Sequence, residues 1–273
     1  MACTPPRELA AGKLLVDRPA DRVARLTISN PAKRNALDQP TLDAISTVLA
    51  ELAAEEEVRC VVVTGAHGMF SAGYEINDFG DGRFQEEAER LVAHPFTSAI
   101  EALEDFPYPT LAALPGHTIG GGLELALACD LRVAADGIKL GMPPAKLGLV
   151  YSHTGLSRFI DAIGAARTRE LFLLASYVDA ATALMWGLVN RVVPGAELEA
   201  VALGLATEVA GHAPLSQRGN KRVIASLLRA RGGLPEDLER ELLELRRASF
   251  DSRDMREGMS AFAEKRPPRW LGE

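Results

Sequence analysis

The sequence contains few of the residues that build disulfide frameworks or metal sites. Its 273 residues include three cysteines, Cys3, Cys60 and Cys129, and no pair of them has the Cys-x-x-Cys spacing. Five histidines are scattered along the chain without the spacing of metal ligands. We therefore expect neither a zinc site nor a disulfide-stapled fold. The low cysteine content favours a reducing compartment, the cytoplasm.

Long apolar runs and an excess of positive charge are also missing. No apolar stretch approaches the roughly 18 residues of a membrane span, and the first residues lack the pattern of a signal peptide. The 30 Lys and Arg residues against 37 Asp and Glu give a net charge of −7. We therefore expect no membrane partner and no nucleic-acid partner, and an anionic ligand needs a local basic patch.

Alternating strand and helix patterns fill the first two thirds of the chain. They predict an α/β fold with a largely parallel sheet, including a hairpin over 14–29 and apolar strands at 59–64 and 110–114. Residues 65–82 are predicted as a glycine-rich loop. The last third is helical, so we expect a core over 1–195 and a helical region over 196–273. The apolar stripes of that region either fold back on the core or pack against another subunit.

Two glycine-rich segments follow apolar strands and are the candidates for chemistry. One is Phe-Ser-Ala-Gly-Tyr-Glu-Ile at 70–76, and the other contains three glycines at 120–122 followed by Glu124. Glycines let a backbone approach a ligand closely, and the first N–H groups of the next helix can hold an oxyanion. A glycine triplet also occurs in tight turns. The dinucleotide, P-loop and nucleophile-elbow patterns are absent from the sequence.

Six motifs in order resemble those of the crotonase (enoyl-CoA hydratase/isomerase) superfamily. They span residues from about 13 to about 268, nearly the whole chain. The motifs are Asn-Pro-Ala-Lys-Arg-Asn-Ala-Leu at 30–37, Phe-Ser-Ala-Gly-Tyr-Glu-Ile at 70–76, Gly-Gly-Gly-Leu-Glu-Leu-Ala at 120–126, Leu-Gly-Met-Pro at 140–143 with Leu-Gly-Leu at 147–149, the segment 183–193, and the segment 257–268.

The resemblance implies a spiral of ββα units and a C-terminal helical region that forms a homotrimer or a hexamer and closes the coenzyme A pocket. It implies an acyl-CoA thioester as substrate, with coenzyme A as part of that substrate and no further cofactor or metal. The backbone N–H groups of Tyr74 and Gly121 would form the oxyanion hole, and the Ala72 backbone would contact the coenzyme A arm. The residues implied along the coenzyme A path are Lys33, Arg34, Ala36, Phe262 and Lys265.

The sequence departs from a hydratase at one position. Hydratases of this superfamily use two glutamates, because adding water needs positioned proton transfer. Glu124 matches the first glutamate, but Pro144 stands where the second is expected. Proline cannot transfer a proton, and the next acid along the chain is Asp161. A standard hydratase or isomerase is therefore not expected.

The segments at 141–152 and 246–262 resemble the methylmalonyl-CoA decarboxylase branch, in which a tyrosine matching Tyr151 orients the substrate carboxylate. Tyr74 departs from that branch, where a histidine is expected. The leading hypothesis is decarboxylation of a 2-alkylmalonyl-CoA, and Glu124 is either a proton donor or a remnant. The alternatives are a hydratase or isomerase of fatty-acid metabolism using Glu124, and a non-catalytic acyl-CoA-binding protein. His153 either assists the reaction or is a hydrogen-bonded wall residue.

Overall fold

A computed structural model describes residues 5–55, 57–75, 95–231 and 233–272. The chain divides into two compact units. The first comprises Met1–Leu140 and Val178–Leu227, and the second comprises Gly141–Tyr177 and Leu228–Glu273. The candidate oxyanion hole lies in the first unit, and Tyr151 lies in the second.

A seven-stranded sheet forms the centre of the first unit. Its order is β1-β2-β3-β4-β6-β8-β11, antiparallel over the first three strands and parallel from β3 onward. The parallel strands consist mostly of buried apolar residues, as expected where both faces are covered. The strands are β1 Arg7–Leu9, β2 Leu14–Ala20, β3 Val23–Ile28, β4 Cys60–Gly65, β6 Thr110–Leu114, β8 Leu131–Ala135 and β11 Arg191–Val193.

A second sheet is built from strands of three residues each, in the order β10-β9-β7-β5. Long and short strands alternate along the chain, so β4 is followed by β5, β6 by β7 and β8 by β9, and a helix follows each of the last two pairs. This is the predicted spiral of ββα units, which is confirmed. The short strands are β5 Met69–Ser71, β7 His117–Ile119, β9 Lys139–Gly141 and β10 Tyr177–Asp179.

Nine α-helices lie within the described residues. Asp38 caps α1 by accepting a hydrogen bond from the Thr41 backbone at 3.0 Å. Helix α6 packs against the large sheet through Leu198 and three alanines at four-residue spacing. The helices are α1 Gln39–Ala54, α2 Thr97–Glu104, α3 Gly121–Leu127, α4 His153–Leu173, α5 Ala180–Trp186, α6 Leu198–Gly211, α7 Pro214–Arg229, α8 Glu236–Asp251 and α9 Arg253–Ala263.

The predicted hairpin and the two predicted apolar strands are confirmed. The prediction of an unbroken loop over 65–82 is wrong within its described part, because β5 lies inside it; residues 76–82 lie outside the described residues. Strand β7 was not predicted either. Three residues beside glycine are too few to show the alternation that marks a strand. The roles assigned to 1–195 and 196–273 stay predictions.

Candidate active site

Two glycine-rich loops of the first unit meet backbone against backbone. A Cβ atom added to Gly73 would lie 3.1 Å from the Gly121 nitrogen, and one added to Gly122 would lie 2.6 Å from the Cβ of Ser71. Gly73 also has a φ of +94°, in the region that favours glycine. Only residues without a side chain allow this approach, which explains the glycines that the sequence analysis singled out.

The segment at 30–37 holds the first of these loops in place. The Leu37 N–H donates to the Gly73 carbonyl at 2.8 Å, and the Ala72 N–H donates to the Arg34 carbonyl at 3.1 Å. The Asn35 amide is buried and donates to the carbonyl of Met69 at 2.7 Å. The motif at 30–37 therefore fixes the loop that contains Tyr74. Sequence analysis did not assign this role to Asn35, although the residue stands inside a motif that it quoted.

The predicted oxyanion donors lie on the two facing loops. Gly121 is the first residue of α3, so its N–H has no acceptor within the helix. Tyr74 lies opposite, and a Cβ atom added to Gly121 would be 3.0 Å from the Tyr74 ring. The ring also packs edge-on against Phe96, with centroids 4.8 Å apart. The structure thus brings together Ala72, Tyr74 and Gly121.

Glu124 lies in the first turn of α3 and is 2% exposed. The helix around it is buried as well, and this carboxyl group lies one turn after the glycine loop. The buried Arg132 guanidinium fixes the other end of the helix by donating to the Cys129 carbonyl at 2.6 Å and the Leu188 carbonyl at 2.8 Å. Burial lowers the pKa of Arg132 from its ordinary value. Sequence analysis missed this residue, because nothing local marks it.

The residues predicted along the coenzyme A path differ in exposure. Lys33 and Arg34 are exposed, and the Lys33 ammonium lies 3.9 Å from the Glu75 carboxylate. Ala36 is buried and lies in the segment that holds the Tyr74 loop. In the second unit, Phe262 is 75% exposed near the end of α9, and Lys265 follows it on the surface.

The segment that carries Pro144 and Tyr151 belongs to the second unit. Pro144 is buried and begins a short 3₁₀ helix, Pro144–Leu147. No Asp or Glu occurs between Asp136 and Asp161. The Tyr151 ring is buried and packs edge-on against Phe172, with centroids 5.4 Å apart.

His153 begins α4, two residues beyond Tyr151. Its Nε2 atom lies 3.6 Å from a carboxylate oxygen of Glu239 on α8. This contact places His153 beside an acidic side chain within the second unit. Its part in a reaction stays a prediction.

Within the described ranges, no group of three His, Cys, Asp or Glu side chains could hold a metal ion. Across the same residues, no helix combines the length and apolarity needed to cross a lipid bilayer.

Comparison with known proteins identifies the family. Residues 19–273 match the family described as Enoyl-CoA hydratase/isomerase. The chain belongs to this family. A probable enoyl-CoA hydratase of Mycobacterium bovis is 34% identical over 94% of the chain and 97% of the relative. The methylmalonyl-CoA decarboxylase of Escherichia coli is 31% identical over 92% of the chain and 95% of the relative.

The solved structures agree with this assignment. A methylmalonyl-CoA decarboxylase in complex with 2-nitronate-propionyl-CoA superposes with a TM-score of 0.86 at 28% identity, covering 100% of both chains. The protein is thus an acyl-CoA enzyme of the crotonase superfamily. Coenzyme A enters its site as part of the thioester substrate.

Proposed function

We propose that this family member decarboxylates methylmalonyl-CoA or a related 2-alkylmalonyl-CoA. The bond between the α-carbon and the carboxylate breaks, CO₂ leaves, and the electron pair passes into the thioester as an enolate. The Tyr74 and Gly121 backbone N–H groups stabilise the enolate oxygen, since preorganised donors aimed at developing charge act strongly in a water-excluded site. A proton then adds to the α-carbon.

The observation that carries this proposal is Pro144. Proline can neither accept a proton from water nor donate one to carbon, so this position supplies no acid–base group. Decarboxylation needs no second carboxylate, and a negative charge close to the departing carboxylate would repel it. The buried Pro144 and the acid-free segment from 137 to 160 suit a substrate that brings its own carboxylate.

Tyr151 is proposed to orient the substrate carboxylate through its hydroxyl group. Its buried ring has few alternative positions, because Phe172 packs against it. The two comparisons agree on the reaction class, since the Escherichia coli relative and the structure with a TM-score of 0.86 are both named methylmalonyl-CoA decarboxylase. Glu124 is not needed for the carbon–carbon bond to break.

Hydration or isomerisation of an enoyl-CoA is the second candidate. The buried Glu124 favours it, because this residue matches one of the two hydratase glutamates. The name of the Mycobacterium bovis relative points the same way. This candidate requires that another group replaces the acid missing at position 144.

Product analysis by mass spectrometry separates the candidates. The purified enzyme is incubated separately with methylmalonyl-CoA, ethylmalonyl-CoA and crotonyl-CoA, beside a Glu124→Gln variant. We expect a malonyl thioester to lose about 44 mass units as neutral CO₂, and Glu124→Gln to retain bond cleavage. A gain of about 18 mass units on crotonyl-CoA that Glu124→Gln abolishes would establish the hydratase instead. Tight binding of all three esters without any product would favour a non-catalytic binding protein.

We also propose that α7 forms part of an interface in a homotrimer or a hexamer. This helix has no buried residue, and its exposed apolar side chains include Leu215, Val223, Ile224 and Leu227. An apolar face of this kind usually marks an interaction site. Light scattering on the purified protein tests the proposal, and a monomeric mass at micromolar concentration would contradict it.

A further inference from the structure

The segment that leads to Tyr151 has little regular structure of its own. Between the end of β9 and the start of α4, the 3₁₀ helix Pro144–Leu147 is followed by Gly148, whose φ of +72° is left-handed. The backbone of residues 149–151 belongs to no strand. Its position therefore depends on neighbouring elements of the second unit.

Helix α9 contacts this segment backbone to backbone. A Cβ atom added to Gly148 would lie 2.8 Å from the Met255 nitrogen, and one added to Gly258 would lie 2.8 Å from the Leu147 carbonyl carbon. Both distances are shorter than real Cβ contacts, so only glycine fits at either position without movement. The two contacts are about one helical turn apart on α9. Together they fix how far the segment lies from α9 and how it is oriented along that helix.

Helix α8 adds a hydrogen bond next to Tyr151. The buried Ser249 hydroxyl accepts from the Val150 N–H at 3.0 Å and donates to the Arg246 carbonyl at 2.7 Å. Ser252 ties this helix to α9, because its hydroxyl donates to the Ser249 carbonyl and accepts from the Met255 N–H. The end of α8 and the start of α9 thus form one support.

We propose that Ser249 and Gly258 are positioning residues that fix the backbone of Tyr151, an inference that rests on the role proposed above for the Tyr151 hydroxyl. Phe172 restrains the ring, while Ser249 and Gly258 restrain the chain on its N-terminal side. A mutation far from the reacting atoms can lower a rate by about 100-fold if it displaces a catalytic group by about 1 Å. These residues act through Tyr151 and need not touch the substrate.

The variant Ser249→Ala tests the hydrogen bond, and Ser249→Thr keeps the hydroxyl group. We expect Ser249→Ala to lower kcat for decarboxylation by about 10- to 100-fold, with KM changed by less than about twofold, and Ser249→Thr to recover much of the loss. Ser46→Ala is the matched control, because Ser46 also donates to a carbonyl of its own helix, at 3.2 Å. Gly258→Ala should behave like Ser249→Ala. Its control is Gly204→Ala in α6, where a Cβ meets nothing within 4 Å.

A spectroscopic readout separates this inference from the proposed reaction. Labelling with 3-fluorotyrosine gives four ¹⁹F resonances, one for each tyrosine, and Tyr151→Phe identifies the resonance of Tyr151. We expect Ser249→Ala to shift that resonance while thermal unfolding stays cooperative. An unshifted resonance would overturn the positioning role even if the rate falls. A shift in a protein whose wild type releases no CO₂ would support positioning and reject the decarboxylase.

Discussion

The two regions that carry the candidate chemistry are built in different ways. In the first unit, the loops of Tyr74 and Gly121 meet through glycines, and hydrogen bonds from the segment at 30–37, most of them between backbone groups, hold the Tyr74 loop. In the second unit, the segment ending at Tyr151 presents a side chain, and a side-chain hydroxyl supports it. Under the function proposed above, the backbone region serves any thioester that forms an enolate, so the variants of Tyr151 test which reaction this enzyme performs.

The largest effect is expected where the two loops touch. An alanine at Gly122 would place its Cβ 2.6 Å from the Ser71 Cβ and 2.8 Å from the Ser71 carbonyl oxygen. The loops must then separate, which displaces the N–H groups of Tyr74 and Gly121. Loss of an oxyanion donor costs about 10²- to 10³-fold in rate. We expect Gly122→Ala to lower kcat/KM by this amount on any thioester that the enzyme converts.

The control for Gly122→Ala is again Gly204→Ala, which adds a methyl group to an open helical position. Steady-state kinetics on the active substrate, with thermal unfolding of both variants, makes the comparison. A Gly122→Ala enzyme that keeps the wild-type rate would show that the close contact between the loops is not needed for the oxyanion hole.

A smaller and more selective effect is expected at Tyr151. Tyr151→Phe removes the hydroxyl group but keeps the ring that packs against Phe172. We expect decarboxylation to slow by about 10- to 100-fold, since orientation of the carboxylate is lost, while the affinity for coenzyme A stays the same. Tyr177→Phe is the control, because Tyr177 is 46% exposed in the same unit. A Tyr151→Phe enzyme with the wild-type rate would refute the role proposed for the hydroxyl.

The sequence predicted the elements that apolar patterns define. Strands β4 and β6 are continuous apolar runs, so both were found before the structure. The short strands β5 and β7 were missed, because a three-residue strand next to glycine has no recognisable period. Yet β5 and β7 are the strands that lead into the two glycine loops.

The candidate site shows the same division. Glycine marks the two facing loops because a close backbone contact excludes every other residue, so their importance to the structure could be predicted, while their role as an oxyanion hole stays a prediction. The support of Tyr151 could not, since Ser249 lies 99 residues from Val150 in the sequence. Arg132 was missed for a related reason, because its guanidinium binds backbone carbonyls and leaves no complementary side chain to detect.

The smallest expected effect is a loss of stability at low pH that is confined to the second unit. Glu257 on α9 accepts hydrogen bonds from Arg266 at 2.9 Å and from the Arg269 N–H at 2.7 Å, which attach the C-terminal residues to the helix. The hydrogen bond from Arg266 has the largest effect and that from Arg269 the next largest, and they lower the pKa of Glu257 from 4.5 to about 2. This attachment therefore stabilises the fold fully above pH 4.5 and is lost as the pH falls from 4.5 toward 2.

Trp270 fluorescence in a Trp186→Phe background reports this attachment, because these are the two tryptophans of the chain. We expect the emission to change below pH 4.5 in the parent and Glu257→Gln to remove the change, while Glu244→Gln on α8 keeps it. The atoms that Gly73 and Gly122 meet across the loops belong to no carboxyl group, so hydrogen exchange at 71–74 should show no matching transition. An identical fluorescence transition in Glu257→Gln would mean that the protonation of another group detaches the C-terminal residues from α9. In that case the acid transition would no longer distinguish the helical region around Glu257 from the glycine loops.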